Sequence, residues 1–90
     1  MRTLEDCRKE LDALDDELIK TYLARLALSR EIGDIKAANG LAVYDRARED
    51  DIISRRTAGL NEEEAAAVAA LYRTVFETSR QLQRKRDAHE

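Results

Sequence analysis

The apolar residues Leu4, Cys7, Leu11, Leu14, Leu18, Tyr22, Leu26, Ile32 and Ile35 fall at helical spacing, most of them three or four residues apart, and nothing between them breaks the pattern. That spacing marks one face of an amphipathic helix. The chain has no proline, and the first stop signal is Asn39-Gly40, where a glycine can take the left-handed conformation after the last helical turn. One helix is therefore expected over residues 4–39. At 1.5 Å per residue it would be about 52 Å long. A compact globule of 90 residues has a radius of gyration of only about 12 Å. The helix would overhang anything the chain can build alone, yet its apolar stripe runs the full length. A second copy of the chain, with the long helices paired, is the simplest cover for the far half. The same association supplements a core that a chain of this size can barely provide.

The remainder also reads as helix. After a loop at 41–44, Asp45 is a good N-cap for a second helix over 45–57, anchored by Ile52 and Ile53 and ended by Gly59. Asn61 can cap a third helix over 61–84, with Glu64 as the reciprocal partner of a capping box and Leu60 with Ala65 as a hydrophobic staple. Ala65, Val68, Tyr72, Val75, Phe76, Ser79 and Leu82 trace its inner face. The tail at 85–90 is expected to fray. The expected architecture is all-α: one domain over residues 1–90 with a long, a short and a medium helix, in an intertwined homodimeric six-helix bundle.

Composition removes several functional classes. Charged residues make up 39% of the chain, mixed in sign, with a net charge of −3 and no basic block, so a nucleic-acid partner is not expected. No run approaches the ~20 apolar residues needed to span a bilayer, so no membrane partner is expected. A lone cysteine and a polar start, Met1-Arg2-Thr3-Leu4-Glu5-Asp6, suit a reducing cytoplasm. Cys7, on the apolar stripe, is expected to be an inert core thiol. His89 sits in the tail and is expected to be neither ligand nor base. No histidine-cysteine, serine-histidine or metal-ligand spacing is present, so metal, cofactor and covalent chemistry are not expected.

The informative residues are polar ones on stripes that should be apolar. Arg25 stands seven residues from both Leu18 and Ile32, and Lys36 follows it by 11 residues, about three turns, on nearly the same face. On the third helix Ser79 interrupts the run from Val75 to Leu82, and Gln83 follows it by four. Taken singly, each has an ordinary reading. Arg25 and Lys36 can pair with Glu17, Glu31 or Asp34 as solvated charges, Ser79 can be a packing residue, Arg48-Glu49 surface charge, and Asp45 only a cap. Together they place two cations, a hydroxyl and an amide where burial demands partners, and an anionic ligand satisfies that demand.

Over residues 4–83 the chain resembles the AroQ-type chorismate mutases. The family's binding set corresponds here to Arg8, Arg25, Lys36, the segment Asp45-Arg46-Ala47-Arg48-Glu49, Ser79 and Gln83, at successive separations of 17, 11, 9, 3, 1, 30 and 4 residues. The chain departs from many members at Leu41-Ala42-Val43, where they carry a proline, and in a short connection at 55–61. The resemblance implies the Claisen rearrangement of chorismate to prephenate, a step in phenylalanine and tyrosine biosynthesis that needs no nucleophile, metal or cofactor. It implies Arg8, supplied by the partner subunit, and Arg25 as carboxylate clamps, with Ser79 assisting and Arg48 lining the same pocket. Lys36 and Gln83 are implied as donors to the ether oxygen, and Glu49 with the backbone amide of Asp45 as holders of the ring hydroxyl. Isochorismate pyruvate lyase or aminodeoxychorismate mutase chemistry on the same fold is the near alternative. A non-catalytic dimeric helical module is the distant one.

Overall fold

The computed structural model describes residues 1–87, with side chains through residue 84. Three helices follow in order: α1 Leu4–Ala38, α2 Arg46–Thr57 and α3 Glu62–Asp87. The described residues contain no strand, so the all-α expectation holds.

Each boundary has a local cause. Thr3 caps α1 through a reciprocal box: its hydroxyl accepts from the Asp6 N–H, and the Asp6 carboxylate accepts from the Thr3 N–H. That box was not marked in the sequence reading. The helix ends at Asn39, and Gly40 follows at φ +65°, the left-handed conformation expected of it. Asp45 caps α2 by accepting the Arg48 N–H at 3.0 Å, and Gly59 turns away at φ +81°. The α3 box forms as expected, with Glu64 N–H on Asn61 Oδ1 at 2.8 Å and Asn61 N–H on Glu64 Oε1 at 3.3 Å. With neither glycine nor proline to stop it, α3 continues to Asp87, three residues beyond its expected end. His89 lies outside the described residues.

α3 packs against both α1 and α2, which do not pack against each other. The chain measures 57 × 27 × 14 Å with a radius of gyration of 16.7 Å. Fourteen ångströms is little more than one helix diameter, so the helices form a single layer. Among the described residues only Val75 and Phe76 are buried apolar side chains. Every residue from 1 to 21 is exposed, including Leu11, Leu14 and Leu18. No described helix is long and apolar enough to cross a membrane.

One expectation needs correction. Cys7 is exposed, because nothing else among the described residues reaches the first half of α1. Ile32 and Ile35, at the far end of the stripe, are 46% and 53% exposed. The face of α1 that meets α3 is centred instead on Ser29 and Gly33, both buried. A Cβ at Gly33 would lie 3.0 Å from Gln83 Cγ and 3.2 Å from its Cα. The missing side chain is what lets the two helices approach so closely.

Candidate active site

Because α1 and α2 flank α3 without meeting, a cavity of about 450 Å³ lies between them, floored by α3. Seven of the eight residues singled out from the sequence line it: Arg25 and Lys36 on α1, Asp45, Arg48 and Glu49 at the start of α2, and Ser79 and Gln83 on α3. Arg8 does not. It lies in the exposed first half of α1, 17 residues before Arg25, about 26 Å away along the helix.

The buried polar groups partner one another across α1 and α3. Arg25 Nη1 donates to Ser79 Oγ at 3.3 Å, with its guanidinium carbon 5.7 Å from the centre of the Phe76 ring. Lys36 Nζ donates to the Val43 carbonyl at 2.9 Å and to Gln83 Oε1 at 3.3 Å. Gln83 Nε2 in turn donates to Ser29 Oγ at 3.2 Å. The amide is thereby oriented from both ends, and its Cα and Cβ are seated on Gly33. No buried side-chain nitrogen or oxygen among the described residues lacks a partner, so the site is preformed rather than strained.

Three lining or supporting residues escaped the sequence reading. Ser29 stands four residues after Arg25 and seven before Lys36, so its place on the face was readable from periodicity. Arg80 and Tyr44 were not readable. Arg80 Nη1 donates to both oxygens of Glu49, at 2.6 and 2.5 Å, with the two side chains only 22% and 19% exposed. Its guanidinium also lies over the Tyr44 ring, 4.7 Å from the centroid. The hydrogen bond to Glu49 holds Arg80 more firmly protonated than an ordinary arginine, against the opposing effect of burial.

The charges around the cavity are unbalanced. Among the described residues, Arg25, Lys36, Arg48 and Arg80 face only Asp45 and Glu49. Asp45 is engaged as the α2 cap and Glu49 by Arg80. Arg25, Lys36 and Arg48 therefore leave an excess of positive charge beside the apolar walls of Leu28, Ile32, Ile52 and Phe76. A small organic anion, with both apolar carbon and negative oxygen, matches such a lining.

Comparison with known proteins points the same way. The chain is 37% identical over 76 residues to the T-protein of Haemophilus influenzae, covering 84% of this chain and 20% of that protein. It is 29% identical over 91 residues to a bifunctional chorismate mutase/prephenate dehydratase of Aquifex aeolicus, covering 94% of this chain and 25% of that protein. The chain thus spans a fifth to a quarter of the length of these relatives. No solved structure matches it significantly. The family model for chorismate mutase type II matches residues 7–84, a span that contains every cavity-lining residue named above, and the chain belongs to that family.

Proposed function

We propose that this chain is a chorismate mutase, converting chorismate to prephenate in the route to phenylalanine and tyrosine, and that it acts as an intertwined six-helix homodimer in the cytoplasm. The observation that carries this reading is the excess of cations over carboxylates in one cavity built by α1, α2 and α3. Chorismate is a dianion with an apolar ring, the chemistry that such a lining accepts.

In the rearrangement one ether carbon–oxygen bond breaks while a carbon–carbon bond forms within the same molecule. No atom enters or leaves and no proton moves. The protein's contribution is to fold the enolpyruvyl arm over the ring and to stabilise charge that appears only in the transition state. Arg25, held by Ser79, clamps one carboxylate, with Arg48 lining the same space. Arg8 of the partner subunit clamps the other, so each site draws on two chains.

As the ether bond lengthens, negative charge grows on its oxygen. Lys36 has two hydrogen bonds inside the protein and Gln83 gives one amide hydrogen to Ser29. Each retains one hydrogen for that oxygen. Donors fixed before the reaction need no reorganisation during it, which is why they favour the transition state over the substrate. Glu49 and the backbone amide of Asp45 hold the ring hydroxyl and set the orientation.

The test is incubation of the purified chain with chorismate, with product identification and a mass measurement in solution. Prephenate formed by a dimer is the expected result. A folded dimer that leaves chorismate untouched would defeat the enzymatic reading, and pyruvate released from isochorismate instead would reassign the chemistry.

A further inference from the structure

The two carboxylates in the cavity wall are held in different ways. Asp45 accepts a backbone N–H, whereas Glu49 accepts a guanidinium nitrogen on both of its oxygens, at 2.5 and 2.6 Å. Arg80 is itself fixed from two sides, by Glu49 and by the face of Tyr44. Glu49, Phe76 and Arg80 line both this cavity and a second hollow of about 370 Å³. The pair thus borders both hollows.

Being about four-fifths covered, this ion pair is weakly screened, and the two charges cancel locally. Each Glu49 oxygen still has a lone pair to offer. A group arriving from the inner cavity therefore meets good acceptors without a net negative charge behind them. A hydroxyl needs only the acceptor. An ammonium group needs the charge as well, and beside Glu49 it would be within a few ångströms of the Arg80 guanidinium, a like-charge contact.

We infer that Arg80 is a specificity-determining residue: by neutralising Glu49 it makes the pocket accept a ring hydroxyl and reject a ring ammonium. The inference rests on the chorismate reading above, because it requires that ring in the cavity. Arg80 acts through Glu49 and need not touch the substrate. The repulsive element is what excludes the competitor.

The experiment compares the KM for chorismate with the inhibition constant of 4-amino-4-deoxychorismate in the wild type, Arg80→Met and Arg80→Lys. In Arg80→Met the amino compound should gain at least about tenfold in affinity relative to chorismate, while Arg80→Lys keeps the wild-type ratio. A purely structural Arg80 would lower both affinities together and leave the ratio unchanged, which overturns the inference while wild-type turnover still supports the enzyme.

Should Arg80→Met fail to fold by circular dichroism, Glu49→Gln reads the same pair from its other member. It leaves the guanidinium unbalanced, so the amino compound should weaken at least about tenfold more than chorismate, and equal weakening again overturns the inference. A wild-type chain with no chorismate turnover overturns the proposed function, and this inference with it.

Discussion

Lys36 shows how much of the site is settled before any ligand arrives. Two of its hydrogens are bound to Val43 and Gln83, and the third is the donor proposed for the ether oxygen. Removing one preorganised donor of this kind typically costs about 100-fold or more in kcat. Lys36→Ala should therefore lose at least that factor in a chorismate turnover assay while keeping its helical circular dichroism. Gln83 offers a second check. As a neutral amide it donates at any pH, so the wild-type rate should be flat through neutrality. A carboxylate there would oppose the charge growing on the ether oxygen, so Gln83→Glu should be active only where the new side chain is protonated. A pH–rate profile rising toward acid in the variant alone is the expected result. These residues were legible because they are polar at positions where helical spacing calls for apolar ones. Arg80 was not. Its partner Glu49 is 31 residues away on another helix, and periodicity reports which face a residue occupies, not what meets that face.

Among the elements, the helices were legible wherever a cap or a glycine punctuates the chain. Asp45 starts α2, Asn61 and Glu64 start α3, and Gly40 and Gly59 follow the first two helix ends. The end of α3 lies three residues beyond its expected place because no residue there ends a helix, and the face of α1 that meets α3 was not legible because it centres on Gly33. Gly33 carries no hydrophobic signal, so a reading based on apolar spacing passes over it. The capping box on α3 is exposed and remote from the cavity, which makes it a clean test of local stability. Asn61→Ala should cost about 1 kcal/mol. For a domain of this size that corresponds to a fall of about 4–8 °C in thermal midpoint, measured by circular dichroism, with kcat at 25 °C unchanged. A change in kcat without a change in midpoint would contradict this account of Asn61.

As a whole molecule, the chain exposes 7259 Å², whereas a compact monomer of 10.3 kDa exposes roughly 5,400 Å². The excess is of the size that one subunit buries in an obligate dimer. It is carried by Leu11, Leu14, Leu18 and their neighbours on α1, the stripe whose length first suggested a second chain. The proposal that each site is shared between two subunits makes a sharper prediction than mass alone. Arg8→Ala and Arg25→Ala should each be inactive, but unfolding and refolding them together should restore about a quarter of wild-type activity. Half of the dimers formed would be mixed, and each mixed dimer holds one intact site. No recovery in refolded mixed dimers would place both arginines in the same chain's site. The single-layer arrangement has a last consequence. A slab one helix thick has no inside of its own, so in the proposed dimer folding and association are one event, and dilution should act on this protein as a denaturant. Its thermal midpoint should climb steadily with protein concentration, and a midpoint that ignored concentration would mean that the slab stands alone.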